Sequence, residues 1–556
     1  MSRSPESENV LRSSSQDPSW LNQPTDDPHL PTGEMELPHF IKPLPTHLTS
    51  EDMDYLRHKG IFDIPGMQSC TDLLHSYVKF VHPLLPLLDL ETFLGPMVEV
   101  GHPAKISLLL LYAVMCSGAA HVHLDALYKL GYSSRKSARR AFFERARLLY
   151  DLDCEPDRLS LVQAFLLMTY WYDSSIRGRY KDRKFWIRES VTLAQDLGLD
   201  LELENCVTQR QRVMKRIWWC CFMRDQFVAL MTWTPPHFRA GSHIIPMLVL
   251  DDFEIEDYSK AVSNTFNEWA FINDERTRIQ LAMLCIEKAK LSLCIDQILR
   301  VRYISMRHES KTQTLSILVP KRDTNDDFEV IEHDHQLRRW YQAISTSGNF
   351  DLKDSTTFGT IKASDTLTIQ RVHLKLLFLS ALIALHRPQV GDNSRARSGL
   401  FQDLSRTKLR ETADEVGHLA MCMKELHLGT HIKPNGVTLF LPILLVHLQD
   451  IIPDMDNRQG NRIGKYYHCM EILDSLGDQN VPDNLLPMEL EVAFRMLNIL
   501  PSLEASIPPT ISSPLHGQEL LVPEGSTIPR LFDLGTMTSA EMSLLNDLCQ
   551  HHQTQL

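Results

Sequence analysis

The chain has 556 residues, of which 43% are hydrophobic and 23% charged, a composition typical of a globular protein that can bury a sizeable core. Its formal net charge is -13, whereas proteins that wrap the phosphates of DNA generally carry a basic balance or a basic stripe. This balance disfavours extensive direct DNA binding by the chain.

The first 48 residues are rich in Ser, Pro and Asp, with eight prolines between Pro5 and Pro45. Prolines at this density block the hydrogen bonding of both helix and sheet, so residues 1–48 are predicted to be a disordered arm. The chain starts without the apolar core of a secretory signal. The longest largely apolar run, 106–120, is too short to cross a bilayer core of about 30 Å, so no membrane partner is predicted.

From Thr49 onward the pattern is helical. Thr49 to Asp52 form a helix start, and apolar positions then recur at spacings of three and four residues. A helix containing Trp186 is predicted to close at Gly198, in the place of a left-handed C-cap glycine. Further helices are predicted over 280–302, 366–386 and 408–428. Alternating strand patterns are rare, so the predicted fold class is all-α.

Three segments are predicted along the chain. After the arm, a helical body covers 49–504 and is interrupted by a polar loop at 303–335, where no period is sustained. Residues 505–556 hold a Pro-rich linker followed by a short amphipathic helix that begins with a capping box at Thr538 to Glu541.

Sequence patterns for metal, cofactor or catalytic sites are weak. None of the eleven cysteines precedes Cys70, and no Cys-x-x-Cys spacing occurs, which supports neither a zinc cluster nor a redox pair. Cys220 and Cys221 are neighbours on a predicted helix, so their side chains diverge by roughly 100°. Other candidate metal ligands are His121 with His123, His333 with His335, and Cys549 with His551 and His552. None has a second pair at zinc-ligand spacing, so no catalytic, cofactor or metal residue is assigned.

The acidic run Asp251-Asp252-Phe253-Glu254 resembles the Asp-rich magnesium motif of the terpene synthases, which are also all-α. Those enzymes need the carboxylates on a helix that faces a cavity, together with a second cluster. Here the run follows Pro246 in an apparent loop, and no second cluster is found. We favour structural helix-capping acids. The alternative is an all-α magnesium-dependent synthase that uses Asp251 and Asp252.

Two basic stretches could serve nuclear import or contact phosphate. The first lies on one predicted helix at Arg135, Lys136, Arg139, Arg140, Arg145 and Arg147; the second is a predicted loop with Arg177, Arg179, Lys181, Arg183 and Lys184. We favour a solvated helix face and a salt-bridged loop.

Four motifs carry a family resemblance. They are the segment Tyr77 to Asp89 with its His82-Pro83 and Leu85-Pro86 pairs, Trp186 with Leu197-Gly198-Leu199, Arg216-Ile217-Trp218-Trp219 through Asp225, and Leu377 through His386-Arg387-Pro388. Together they resemble the middle homology region of the fungal zinc-cluster transcription factors. The opening at 37–65 is similar to the cutinase-transcription-factor branch, and the resemblance covers roughly 37–500.

The resemblance implies a large multi-helix regulatory domain in a nuclear transcription regulator of a metabolic or secondary-metabolite gene cluster, with no enzymatic activity. A small-molecule effector would also fit such a domain. Two departures are present. The first follows the Trp-Trp motif, where Gln226 stands after Asp225 in place of the family's usual Arg and Trp233-Thr234-Pro235-Pro236 replaces the usual Gly-Arg-Pro loop.

The second departure concerns DNA. Residues 1–69 contain no cysteine, so the family's six-cysteine zinc cluster is missing from this sequence. We therefore expect promoter contact to need a DNA-binding partner or other transcription factor subunits. The alternative is a truncated gene model of a DNA-binding factor.

Residues 531–549 place apolar side chains, among them those of Phe532 and Leu545, between acidic residues. Such a segment is typical of an amphipathic helix that enters a groove on a coactivator. The alternative, which we rate slightly higher, is a terminal helix docked on the body of the protein.

Overall fold

The computed structural model of the chain describes residues 37–171, 181–199, 208–238, 245–309, 314–321, 327–346, 366–390 and 399–425. These residues form fifteen α-helices and a single two-stranded hairpin. The predicted all-α class is therefore confirmed. The predicted linker and terminal helix at 505–556 lie outside the described residues.

The first seven helices precede the Trp186 motif. Their bounds are α1 Ser50–His58, α2 Met67–Phe80, α3 Leu90–Val98, α4 Leu108–Gly118, α5 Leu124–Lys129, α6 Arg135–Asp151 and α7 Arg158–Met168. Helix α1 begins where the sequence predicts, because Thr49 and Asp52 form a reciprocal capping box.

The middle of the chain contains α8 Arg183–Asp196, α9 Gln209–Thr232, a 3-10 turn Leu250–Asp252, α10 Lys260–Thr265, α11 Ala270–Asn273 and α12 Glu275–Arg302. The hairpin strands β1 Tyr303–Glu309 and β2 Thr314–Pro320 follow, and then α13 Asp327–Thr346, α14 Thr366–Val390 and α15 Gly399–Glu425. Gly198 has φ 68° after α8, as the predicted left-handed cap requires.

The predicted arm 1–48 is too long at its C-terminal end. Phe40 and Ile41 are buried, and the backbone there forms a parallel bridge to Ile106, with Ile106 N donating to Phe40 O at 2.8 Å and Lys42 N donating to Ile106 O at 2.9 Å. Phe40 and Ile41 reach the core, and their burial outweighs the disordering effect of the nearby prolines. The chain divides into two units after Pro38, and this segment belongs to the second.

Helix α4 lies at the centre of the N-terminal half. All eleven of its residues are buried, and it packs against α2, α6 and α7. The contact with α2 is so close that a Cβ added to Gly118 would overlap the carbonyl oxygen of Leu73. Glycine is therefore required at 118 by packing, although its backbone is helical.

The predicted loop 303–335 is wrong. The strands β1 and β2 pair antiparallel from Tyr303 opposite Pro320 to Glu309 opposite Thr314, and α13 begins at Asp327. The run Leu315 to Val319, apolar except for Ser316, is a short strand pattern that the surrounding polar residues mask. Tyr303 and Leu318 are buried while Ile304 is exposed, so the hairpin presents one face to the body of the protein.

Helices α12 and α14 form the core of the C-terminal half of the described chain. Helix α14 packs against α9, α12, α13 and α15. Within the described residues, the stretch Thr366–Pro388 is long and apolar enough to cross a membrane, yet 83% of its most apolar window is buried inside the protein. A core helix of a large helical domain passes the same test of length and composition.

Candidate functional site

Helix α9, which carries the tandem tryptophans Trp218 and Trp219, is largely buried. Eighteen of its 24 residues are buried. Trp218 stacks on Phe222 with ring centroids 5.6 Å apart, and Phe238 meets both rings edge-on. Cys220 and Cys221 are free thiols with no exposed surface, and burial raises the pKa of both. The tandem aromatics and thiols thus pack in the core.

Asp225 organises the loop that follows α9. Its Oδ2 accepts the backbone N–H groups of His237 at 2.7 Å and Phe238 at 2.9 Å. Its Oδ1 lies 2.9 Å from His237 Nδ1. The helix ends at Trp233, which has φ 51° in the left-handed region. The Asp225 carboxylate therefore holds the backbone directly after the unusual sequence at 233–236.

Two adjacent cations on α9 each hold one acid of the run at 251–254. Lys215 Nζ lies 2.7 Å from Asp252 Oδ2, and the two side chains are 5% and 3% exposed. Arg216 Nη2 lies 2.7 Å from Glu254 Oε1. Burial alone would lower the pKa of Arg216, but the Glu254 carboxylate leaves it above its ordinary value.

The acids at 251–254 also satisfy backbone donors. Asp252 accepts Val249 N at 2.8 Å, and Glu254 Oε2 accepts Leu90 N at 2.7 Å, in the first turn of α3. Glu254 therefore caps a helix 164 residues earlier in the chain. Burial raises the pKa of Glu254, and the lowering effect of the nearby Arg216 offsets only part of this shift. Asp251 is exposed.

A pocket of about 350 Å³, including its open mouth, lies beside the Arg216–Glu254 pair. Its wall comes from five separate parts of the chain, which contribute His82, Pro83, Pro86, Arg216, Phe253, Glu254, Ile255, Phe271, Arg278, Leu281, Ala282 and Cys285. Helix α12 contributes the last four of these residues.

His82, in the His-Pro pair of the first motif, is 3% exposed in the pocket wall. Its ring meets Phe271 edge-on with centroids 5.2 Å apart, and its Nδ1 has no hydrogen-bond partner within the described part of the chain. Burial, together with the nearby Arg216, lowers the pKa of His82 to about 3. The imidazole is therefore neutral at pH 7.

The first basic stretch is not a uniformly solvated helix face. Arg139 is 1% exposed; its Nη2 donates to Tyr170 O at 2.7 Å, and its guanidinium lies over the Trp171 ring. Arg147 pairs with Glu144. The expectation of a solvated face is therefore wrong for Arg139, because this residue lies on the side of the helix that faces the core.

Of the second basic stretch, Lys181 pairs with Asp151, whereas 172–180 lie outside the described residues. Among the candidate metal ligands, His123 is 3.2 Å from Asp125 at the surface, and 549–552 fall beyond the described chain. Within that described part, no group of three or more His, Cys, Asp or Glu side chains is placed to hold a metal ion.

Sequence reasoning missed the pocket. It treated 251–254 as an isolated motif, although the partners of those acids lie on α9 and at the start of α3. A signal was nevertheless present in α12, where Arg278 and Lys288 occupy positions at helical spacing among apolar residues. Such positions indicate cations that face the core.

Residues 74–342 match the fungal specific transcription factor domain, and every residue of the pocket wall lies within that match. The relatives of the chain include cutinase transcription factor 1 beta of Fusarium vanettenii, at 32% identity over 94% of this chain and 59% of the relative. Transcription factor cpaR of Aspergillus oryzae is 28% identical over 78% of the chain and 72% of the relative.

A third relative is the fusaric acid cluster transcription factor FUB12 of Fusarium oxysporum f. sp. lycopersici, at 29% identity over 38% of the chain and 31% of the relative. The chain thus spans about three fifths of the length of the cutinase factor. No solved structure matches the chain.

Proposed function

We propose that the chain belongs to the family that carries the fungal specific transcription factor domain and that it acts in the nucleus as a regulator of transcription. We further propose that its targets form a metabolic or secondary-metabolite gene cluster. The observation that carries this proposal is the domain match over 74–342. Its relatives are transcription factors by name, and one of them is named as a cluster transcription factor, which supports the proposal.

The geometry of the acidic run favours regulation over the magnesium-dependent synthase. Asp252 is held by Lys215, and Glu254 by Arg216 and the first turn of α3. Asp251 is then the only member of the acidic run without a buried partner among the described residues, and one exposed carboxylate does not make a magnesium site. We therefore propose that the chain has no enzymatic activity.

Deletion of the gene followed by RNA sequencing tests the proposal. We expect the transcripts of one neighbouring set of metabolic genes to change together, and re-expression of the wild-type chain to restore them. An Asp251→Ala chain should restore them equally well, since it leaves the two ion pairs intact. A deletion strain with an unchanged transcriptome would contradict the proposed function, and loss of restoration with Asp251→Ala would favour the synthase.

We propose that this 556-residue chain reaches promoters through a DNA-binding partner. The net charge of -13 supports this, because extensive contact with DNA phosphates calls for a basic surface. Purified chain should therefore give no sequence-specific mobility shift on the promoters of its regulated genes. A site-specific shift that weakens steeply as salt rises would overturn the proposal, because that dependence is the signature of phosphate contacts.

Residues 531–549 are proposed as a coactivator-binding segment, and the docked terminal helix remains the alternative. Fusing 526–556 to a heterologous DNA-binding domain separates the two. Activation of a reporter that is lost with Phe532→Ala and Leu545→Ala supports recruitment. A silent fusion, or activation that survives both substitutions, supports the docked helix.

A further inference from the structure

The hairpin of β1 and β2 exposes one apolar face. Ile304 lies opposite Val319, and Met306 lies opposite Ile317. Residues opposite one another in an antiparallel pair share a face of the sheet, and so do residues two apart on one strand. Ile304 is 47% exposed and Met306 51%, while Ile317 and Val319 are half-buried. The hairpin is fixed to the body of the protein by its other face, so these four apolar side chains point outward.

The outer edge of β1 is free for hydrogen bonding at its centre. Leu318 N donates to Trp233 O at 2.7 Å, outside the hairpin. Lys321 N donates across the ladder to Arg302 O at 3.0 Å, and bonded and non-bonded pairs alternate along an antiparallel ladder. Ser305 lies opposite Leu318, so its backbone N–H and C=O also point away from β2. Ser305 is exposed, and no backbone group of the described residues bonds to it on that side.

The centre of β1 lacks the features that usually protect an edge strand. Natural proteins blunt such edges with proline, with charge, with a bulge or with a covering element. Residues 304–306 contain no proline and no charge, and β1 pairs with β2 without a bulge over all seven of its residues. The main contacts of β1 are with β2 and with α12, which leads directly into it. An open edge beside an apolar face is a surface that a further strand can extend.

A second copy of β1 complements this edge. Under a two-fold axis, an antiparallel strand offers its copy the same free donors and acceptors that it needs itself. With the axis at Met306, all seven residues of β1 are paired, and Met306 lies opposite its own copy on the apolar face. Arg307 then lies opposite Ser305 of the other copy. An axis at Arg307 would instead set two arginines opposite each other, which is unfavourable.

We propose that the chain forms a two-fold dimer in which the two β1 strands pair antiparallel at Met306 and join the two hairpins into one four-stranded sheet. A hairpin of two strands is marginally stable alone, and further strands beside an apolar face stabilise it. The strand pair is small beside specific, stable interfaces, which bury at least about 1,200 Å² in total. The dimer therefore dissociates at micromolar concentrations. Dimerisation is a property of the purified chain and does not rest on the proposed function.

Sedimentation velocity of the full purified chain, from about 1 to about 100 μM, tests the dimer in the range where weak interfaces associate. We expect the mean mass to rise from 63.9 kDa towards twice that value. Ser305→Pro removes an outward N–H, which an unpaired edge strand tolerates. Because the dimer loses two hydrogen bonds, its dissociation constant should rise at least about tenfold. Met306→Lys sets like charges opposite each other and should raise it by at least about as much.

Cross-linking locates the two-fold axis. In this register Met306 and its copy form a non-hydrogen-bonded pair, whose Cα atoms lie about 4.5 Å apart, within the roughly 4.4–6.8 Å that a disulfide spans. Mild oxidation of Met306→Cys should therefore give more covalent dimer than the same treatment of Met67→Cys. Met67 is the matched control for both substitutions, because it is a methionine that is 50% exposed on α2. Met67→Lys should dimerise as the wild type does.

A chain that stays monomeric over the whole concentration range would overturn the proposal. A dimer whose dissociation constant is unchanged in folded Ser305→Pro or Met306→Lys would overturn it as well, because that dimer uses another surface. If circular dichroism shows that Ser305→Pro is unfolded, Met306→Lys decides alone, since it changes a side chain that is half exposed in the monomer. A monomer that controls transcripts refutes only the dimer, whereas a dimer whose deletion leaves transcripts unchanged refutes only the regulatory role.

Discussion

Removing the Asp252 carboxylate should destabilise the folded chain far more than removing that of its neighbour Asp251. Asp252 is 3% exposed and lies 2.7 Å from Lys215 Nζ, whereas Asp251 faces solvent. In Asp252→Ala, Lys215 must either stay charged in the core without this partner or lose its proton. The two substitutions remove the same chemical group from adjacent positions, so Asp251→Ala is a matched control.

The size of the effect follows from the two choices open to the lysine. Breaking a buried ion pair from one side costs about 3–5 kcal/mol. Deprotonating an ordinary lysine at pH 7.5 costs about 4 kcal/mol, which limits the charge penalty from above. The hydrogen bond from Val249 N to Asp252 adds about 1 kcal/mol. We therefore expect Asp252→Ala to cost about 3–5 kcal/mol and Asp251→Ala less than about 0.5 kcal/mol.

Thermal unfolding followed by tryptophan fluorescence measures the difference, since Trp219 donates to Pro246 O in the same region. At an unfolding entropy of about 2.1 cal/mol/K per residue, each kcal/mol shifts the Tm of this 556-residue chain by about 0.9 °C, so Asp252→Ala should lower Tm by at least ~2.5 °C. The double variant Lys215→Met with Asp252→Leu should recover most of the loss, because it leaves no buried charge. Equal shifts for Asp251→Ala and Asp252→Ala would refute the assignment of Asp252 to a buried pair.

Further predictions concern packing, pH and thiol reactivity. Gly118→Ala should lower the free energy of unfolding in urea by at least about 1–3 kcal/mol, because the added Cβ would overlap the backbone carbonyl of Leu73. Gly66→Ala, where the added Cβ has open space, should lower it by less than about 1 kcal/mol. The pKa of His82 in the folded state, about 3, lies below its ordinary value, so the free energy of unfolding should fall as pH drops from about 6.5 towards 3. His82→Leu should reduce this dependence on pH. An unchanged pH dependence in His82→Leu would contradict the prediction. Cys220 and Cys221 should resist alkylation at pH 7.5 until urea unfolds the chain, and rapid labelling of either thiol in the native protein would contradict their burial.

Helices and their ends were predictable where the signal is local. The period of apolar residues in α14 and α15, the capping box at Thr49 and the left-handed Gly198 depend on neighbours within a few positions. The hairpin at 303–320 is also local, but its longest apolar run, Ile317 to Val319, covers only a few residues among polar ones. Short strands of this kind are easily mistaken for loop.

The site was less predictable because its partners are distant in sequence. The Glu254 carboxylate meets Leu90 N across 164 residues, and Lys288 meets carbonyls of 83–84 across 204 and 205 residues. No spacing rule along the chain connects such groups. A charged residue at an apolar helical position indicates that some partner exists, but the packing of the helices decides which one it is.

The burial of α9 on nearly every side has a consequence for synthesis on the ribosome. Its tertiary neighbours include α12 and α14, and 158 residues separate the end of α9 from the end of α14. At about 5–20 residues per second, the tandem tryptophans would wait about 8–30 s for the last of these helices to emerge. During that interval the apolar centre of α9, Ile217 to Met223, is exposed on the nascent chain, so the yield of folded protein should depend on chaperones that hold such surfaces.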